Sequence, residues 1–86
     1  MNIVCVYDIA GPTSVKAMHI LRKYLFHIQK SVFQGQLTPS KFQSLQNELN
    51  QISLKENDQI LFFYIYRDGA LYEKGIGKTR SPTNII

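Results

Sequence analysis

Hydrophobic and polar residues alternate in blocks along this chain, and each block predicts one secondary-structure element. Residues 2–8 (NIVCVYD) are almost continuously apolar and β-favouring, which predicts a strand covered on both faces. A glycine–proline pair ends it, and Thr13 or Ser14 is placed to cap a helix that runs to about Leu25. The apolar stripe of this helix consists of Ala17, Met18, Leu21 and Leu25.

A second series of extended and helical blocks follows. Residues 26–37 are rich in β-formers, and Gly35 predicts a bulge or bend, so this stretch is either one kinked strand or two short ones. Thr38 and Pro39 form a strong helix start, because threonine suits the N-cap and proline the first helical position. The helix that they begin has a regular apolar stripe, made of Phe42, Leu45, Leu49 and Ile52.

The most apolar stretch is QILFFYIY, residues 59–66, which predicts the strongest strand of the chain. A turn at Asp68 and Gly69 and a short strand over 71–76 follow it. The order strand, helix, one or two strands, helix, strand is typical of an α+β sandwich of the ferredoxin-like kind. Both helices then lie on one face of a mostly antiparallel sheet.

Residues 59–66 carry large apolar side chains on both faces of the predicted strand. Ile60, Phe62, Tyr64 and Tyr66 face one way, and Leu61, Phe63 and Ile65 face the other. A two-layer sandwich leaves one sheet face in water, yet burying one such side chain is worth about 1.5–3 kcal/mol. The pattern therefore predicts a homodimer packed sheet against sheet, with a monomer whose tail folds over the sheet as the alternative.

Composition narrows the class of protein. The chain has 86 residues, 44% of them hydrophobic, which suits one small domain that gains stability from a partner surface. Its net charge of +4 is compatible with a nucleic-acid partner and equally with simple solubility.

Cys5 is the one cysteine, so no disulfide framework and a reducing cytoplasm are expected. There is no secretory signal pattern and no apolar stretch approaching about 18 residues, so no membrane association is expected.

Asp8 is the first candidate for chemistry, since it ends the first strand where the chain leaves for a helix. Mg²⁺ takes few protein ligands and keeps several waters, so a carboxylate at such a position can bind it. One aspartate is a poor site, whereas two copies meeting across a dimer axis form a better one. A turn or helix-capping role is the alternative.

Other polar residues give weaker signals. Ser31 interrupts an apolar strand, which predicts either a phosphate-contacting groove or a solvent-facing edge, and Tyr7 suits either a substrate contact or the core. His19 and His27 have no zinc spacing and no cysteine partner. GIGK at 75–78 lacks the preceding glycine and the following helix of a P-loop.

Three segments together resemble a known family. VYDI (6–9), IQKSVFQGQLT (28–38) and NDQILFFYI (57–65) occur in this order and at fitting distances. They closely resemble the small CRISPR-associated protein that partners the integrase during spacer acquisition. The resemblance covers roughly residues 2–66, and Q-K-S-V-F-x-G-x-L-T is its most specific part.

The resemblance implies a ferredoxin-like homodimer with a core over 1–66, a strand over 67–78 that crosses to the partner's sheet, and a flexible basic tail over 79–86. It implies that Asp8 of each subunit faces the dimer axis and that the pair binds one Mg²⁺. By position, the family's active-site pattern matches Tyr7, Asp8, Ser31 and Phe33. Family members are described as metal-dependent endonucleases on single-stranded RNA or double-stranded DNA, and their dimer bridges two integrase dimers and contacts the prespacer duplex.

Two departures from the family bear on cleavage. Many members carry several arginines early in the first helix, where this chain has only Lys16, and an arginine before the glutamine, where it has His27. Cationic groups stabilise the charge that develops on a phosphorane, so we expect weaker cleavage. Phosphate contacts for a scaffold are still expected from basic residues, namely Lys16, Arg22, Lys23, Lys30, Arg67, Lys74, Lys78 and Arg80.

Two functions therefore compete. The favoured one is a dimeric scaffold that binds prespacer DNA and the CRISPR integrase. The alternative is an enzyme, with Mg²⁺-dependent phosphodiester hydrolysis of RNA or DNA at paired Asp8 carboxylates and with Tyr7 or Ser31 positioning the substrate. An RNA-recognition module of the same topology is disfavoured, because KSVFQGQ does not fit its aromatic motif.

Overall fold

A computed structural model of the chain describes residues 1–77. Its strands are β1 (Asn2–Asp8), β2 (Phe26–Gln29), β3 (Val32–Gln36), β4 (Gln59–Ile65) and β5 (Leu71–Gly77), and its helices are α1 (Thr13–Arg22) and α2 (Pro39–Leu49). Within these residues the five strands form one antiparallel sheet in the order β2-β3-β1-β4-β5. This is the predicted ferredoxin-like βαββαβ arrangement with one further strand at the edge.

The two helices cover one face of the sheet, and the core lies between them. The sheet contributes side chains from β1, β3 and β4, namely Ile3, Cys5, Tyr7, Phe33, Ile60 and Phe62. The helices contribute the predicted stripes, which include Ala17, Leu21, Phe42, Leu45 and Leu49. Burial raises the pKa of the Cys5 thiol to about 12, so the thiol stays protonated and unreactive at neutral pH.

Within residues 1–77, no helix lies over the other face of the sheet, which we call the open face. Directly paired residues share a face, so the register defines the apolar residues on it, which are Val4, Val6, Val32, Leu61, Phe63, Ile65, Phe26 and Leu71. Burial along β1 alternates accordingly, with Cys5 fully buried and Val6 37% exposed. The expectation that β1 is covered on both faces is therefore wrong for the single chain.

The two helix starts differ from each other. Thr38 caps α2 as predicted, since its hydroxyl oxygen accepts a hydrogen bond from the Lys41 backbone N–H at 3.1 Å. The prediction for α1 is wrong, because Pro12 occupies the N-cap without a side-chain hydrogen bond. Ser14 instead donates from Oγ to the Gly11 carbonyl at 2.8 Å. The helix also ends earlier than expected, at Arg22.

The stretch over 26–37 forms two short strands, the second of the predicted possibilities. Their register shifts between His27 and Gln29, so the irregularity is in β2 and not at Gly35. Gly35 serves close packing instead, because a Cβ there would lie 3.0 Å from Leu25 Cδ2.

The last strand pairs within its own chain. β5 pairs with β4 along its full length, through a tight hairpin around Gly69. The exchange that the resemblance implied concerns a second subunit and stays a prediction. An exchanged strand would require this hairpin to open. The implied crossing segment ends and the implied tail begins among residues 78–86, which lie outside the described part of the chain. No helix of residues 1–77 is long and apolar enough to span a membrane.

Candidate metal and nucleic-acid site

Asp8 is the last residue of β1 and lies exposed at one end of the open face, opposite Gln59 of β4. The hydrogen bonds and ion pair formed within residues 1–77 do not use its carboxylate. Asp8 therefore does not cap α1 or close the following turn in the described chain, and its carboxylate is available to a ligand.

A second aspartate holds the loop that follows Asp8. Asp58 is only 4% exposed and accepts hydrogen bonds from the Ala10 N–H at 3.2 Å and the Lys55 N–H at 2.9 Å. Its carboxylate thereby links the end of β1 to the start of β4. The sequence pattern did not indicate this role, although an aspartate directly before the strongest predicted strand was a usable signal.

Tyr7 and Phe33 lie on the helix-covered side, opposite to Asp8. Phe33 is fully buried and Tyr7 is 8% exposed, with ring centroids 6.1 Å apart. Burial, followed by the nearby Cys5, raises the pKa of the Tyr7 hydroxyl, and Arg22 lowers it by less. The Tyr7 backbone N–H donates to the Ser31 carbonyl at 3.1 Å, so the half-buried Ser31 is held beside the end of β1.

His27 is part of a small polar cluster next to Ser31. Its ring stacks on Phe33 at 4.5 Å with 7° between the planes. Arg22 Nη2 lies 3.4 Å from His27 Nδ1, and His27 Nε2 lies 3.4 Å from the Lys30 carbonyl oxygen. This pattern fits an imidazole that accepts from Arg22 and donates to the Lys30 carbonyl. A guanidinium thus lies beside the position where the resemblance implied an arginine, and the sequence alone did not indicate this pairing.

The remaining predicted phosphate contacts lie on several elements. Lys16 is exposed on α1, Arg67 in the β4–β5 turn and Lys74 on β5. Lys23 is engaged differently, because it forms an ion pair with Glu48, whose carboxylate also accepts from the Tyr24 hydroxyl. Lys78 and Arg80 lie outside the described residues.

One chain supplies few metal ligands. Residues 1–77 contain no group of three or more histidine, cysteine, aspartate or glutamate side chains that could hold a metal ion. At the end of β1 the available donor is the exposed carboxylate of Asp8, an oxygen ligand of the kind that Mg²⁺ prefers. The residues present therefore fit Mg²⁺ only if a second chain brings a second carboxylate to the ion.

Comparisons with known proteins agree with this fold. A family model described as CRISPR associated protein Cas2 matches residues 1–70. A Dictyoglomus turgidum protein named CRISPR-associated endoribonuclease Cas2 is 37% identical over 76 residues, covering 88% of this chain and 86% of the relative. A Methanosarcina acetivorans protein of the same name is 33% identical over 86 residues, covering 100% of this chain and 99% of the relative.

Solved structures show the same likeness. A crystal structure of Cas2 matches with a TM-score of 0.69 and 32% identity, covering 100% of this chain and 97% of the other. The structure of Streptococcus pyogenes Cas2 at pH 6.5 matches with a TM-score of 0.63 and 27% identity, covering 79% of this chain and 89% of the other. The matched family model, the full-length relatives and the shared fold together establish that this chain belongs to the CRISPR-associated Cas2 family.

Proposed function

We propose that this chain acts in CRISPR adaptation as a homodimeric scaffold that binds prespacer DNA and the CRISPR integrase. Membership of the Cas2 family supports a role in CRISPR adaptation. The observation that carries the proposal is the open face, an apolar sheet surface that nothing in residues 1–77 covers.

The open face supports a dimer because it exposes large apolar side chains on four of its five strands. Across the sheet, Phe26 is 75% exposed, Val6 37%, Ile65 48% and Leu71 56%. Exposed apolar surface of this kind marks an interaction surface, and a twofold axis buries both copies of it at once. A dimer packed through the open face would carry Asp8 of each subunit into or beside the interface.

The distribution of cations supports duplex binding by phosphate contacts. Exposed basic side chains lie on α1, in both β-hairpin turns and on β5, at Lys16, Lys30, Arg67 and Lys74. Contacts of this kind read no base sequence, so affinity for duplex DNA should fall steeply with salt, by a slope of about 0.9 per neutralised phosphate. Affinity that is unchanged between low and high salt would contradict the phosphate contacts.

Metal-dependent nuclease activity is the second candidate, and two observations favour it. Relatives are named endoribonucleases, and the exposed Asp8 carboxylate forms no hydrogen bond or ion pair within residues 1–77. In a dimer, the two Asp8 carboxylates would together hold one shared Mg²⁺. The ion would polarise a phosphoryl oxygen and activate a water. Ser31, held beside the end of β1, would position the RNA or DNA backbone. Tyr7 and Phe33 are buried on the helix-covered side, so they would support the site from the core, with Phe33 holding the His27 ring in place.

The test compares wild type with Asp8→Asn, which keeps the size of the side chain and removes the charge that a metal needs. Spacer integration with the cognate integrase and cleavage of RNA and duplex DNA, each with Mg²⁺ and with EDTA, are measured in parallel. Glu56→Gln, at an exposed carboxylate in the turn before β4, is the matched control.

Integration that persists in Asp8→Asn supports the scaffold. Integration that collapses while the mutant still dimerises and binds duplex would contradict the scaffold and favour metal chemistry at Asp8. Cleavage by wild type that survives EDTA would contradict the metal-dependent nuclease.

A further inference from the structure

A cavity of about 280 Å³ lies between α2 and strands β4 and β5, on the face of the sheet opposite to Asp8. Four of its nine lining residues are aromatic, and polar side chains are among the rest. The residues that matter for its chemistry are Phe42, Gln43, Tyr64, Tyr66, Tyr72 and Lys74. Neither the scaffold role nor the Asp8 site uses them, apart from Lys74 as one phosphate contact among several.

The rings in this pocket are held in a fixed arrangement. Tyr72 stacks on Tyr64 with centroids 5.6 Å apart and 23° between the planes, and Phe42 packs edge-on against Tyr64 at 5.1 Å. Tyr72 is nonetheless 39% exposed and Tyr66 is 43% exposed. Flat aromatic surface is thus presented to solvent on a support that the core keeps in place.

The rim of the pocket is mainly cationic. Lys74 lines the pocket itself, and Arg67 lines an adjoining groove that shares Met1, Pro39 and Tyr66 with it. The nearby carboxylate is Asp68, which is already occupied by the Tyr72 hydroxyl at 2.5 Å and the Ala70 N–H at 2.9 Å. Lys74 and Arg67 outnumber the one nearby carboxylate, so this rim carries a net positive charge beside open rings, which suits a ligand that is flat, aromatic and anionic.

We propose that this aromatic pocket binds an unpaired base of a single-stranded segment, with its phosphates near Lys74 and Arg67. Every base has a π-face, so stacking here tolerates any sequence, and a charged backbone supplies the complement to the rim. The inference rests on the proposed function for its nucleic-acid partner. It adds a second contact, for a nucleotide that is not part of the duplex.

The experiment measures binding by fluorescence anisotropy at fixed salt. The probes are a blunt DNA duplex and the same duplex with a short single-stranded oligothymidine end. The variants are Tyr72→Leu, which removes the ring, and Tyr72→Phe, which keeps the ring and loses the hydrogen bond to Asp68. Lys74→Gln tests the rim, and Lys55→Gln, in the turn before β4, is its charge-matched control.

We expect wild type to bind the tailed duplex more tightly than the blunt one. Tyr72→Leu should remove this gain, a loss of about 5- to 140-fold set by the contribution of one stacked base, and leave blunt-duplex binding unchanged. Tyr72→Phe should retain the gain. Unchanged binding of the blunt duplex also shows that the variant is folded.

Equal affinity of wild type for both probes would contradict base binding in the aromatic pocket, while leaving the proposed duplex-binding scaffold intact. Binding of neither probe would overturn the scaffold as well. If Tyr72→Leu spared both DNA affinities but weakened binding to the integrase, the pocket would be a peptide site and the proposal wrong.

Discussion

The two faces of the sheet are built from the same strands but meet different surroundings. On β4, Phe62 faces the helices and is fully buried, while its neighbour Phe63 is half-buried on the open face. On β1, Tyr7 packs among core side chains and Asp8, one residue later, is exposed. Alternate residues of one strand therefore serve the stability of the single chain and the contacts that the chain makes with others.

This contrast explains why an aromatic-rich strand need not mean a larger core. The helix-covered face satisfies the requirement of the single chain for a packed interior. The apolar residues of the open face add little to the stability of one folded chain. They become stabilising when a second surface covers them. The largest differences between variants should therefore appear between neighbours on one strand.

The largest expected effect separates Phe62→Ala from Phe63→Ala. Phe62→Ala removes a ring from the sealed core and should lower the free energy of unfolding by about 3–5 kcal/mol, a large part of the stability of a small domain. Phe63→Ala should cost less than about 2 kcal/mol at low protein concentration, since its ring is only half-buried. Urea denaturation at micromolar concentration measures both, and equal losses would contradict the difference between the faces.

A smaller loss of stability is expected from a substitution at Gly77, at the end of the sheet where Asp8 lies. Gly77 is paired with Gln59, has φ of +113°, and an added Cβ would lie 2.6 Å from the Asp58 carbonyl oxygen. Gly77→Ala should therefore cost about 1–3 kcal/mol and loosen the end of β5.

Gly69→Ala is the matched control for this substitution. Gly69 also has a positive φ, of +81°, but an added Cβ would meet nothing within 4 Å. It should cost about 1–2 kcal/mol from backbone strain alone. Thermal unfolding measures the two variants side by side, and a Gly69→Ala loss equal to that of Gly77→Ala would show that the contact with Asp58 carries no weight.

The smallest expected change in stability comes from Glu48, which lies on the outer surface of the helices, away from both sheet faces. The hydrogen bond from Lys23, followed by that from Tyr24, lowers the pKa of Glu48 below its ordinary value of 4.5. A lowered carboxyl pKa gives stability that is complete above pH 4.5 and is lost as pH falls through the folded-state value.

Glu48→Gln should therefore shift the urea midpoint slightly at pH 7, and this shift should disappear in acid. Glu56→Gln, in the turn before β4, serves as the control. A shift for Glu48→Gln that is the same at neutral and acid pH would contradict the ionic origin of the effect.

Much of the fold could be predicted because local patterns determine it. The Thr38–Pro39 start of α2 and the alternation along 59–65 were both confirmed. The cap of α1 and the position of the β2 irregularity could not be read, because several residues there suit more than one backbone arrangement. The Asp68–Gly69 turn signal and the strand after it are confirmed by the β4–β5 hairpin, whereas the strand exchange that the resemblance implied stays a prediction.

The candidate site was only partly predictable, because some of its contacts join residues that are far apart in the sequence. Asp8 could be placed at the end of a strand from the break that follows it. Asp58 and the Arg22–His27 contact could not, because each joins elements that are apart in the chain and meet only once the sheet has formed. The exposure of Asp8 on an open apolar face likewise depends on which side of the sheet the helices cover.

The most direct test of the central claim, that the open face is a dimer interface, is the mass of the protein in solution. Val6→Lys places a charge on the open face at a side chain already 37% exposed, and Val15→Lys places the same charge on α1 at a side chain 48% exposed. Sedimentation equilibrium should give wild type and Val15→Lys about twice the chain mass of 9.9 kDa, and Val6→Lys the mass of one chain. A monomeric wild type at tens of micromolar, or a Val6→Lys variant with the mass of wild type, would contradict the claim.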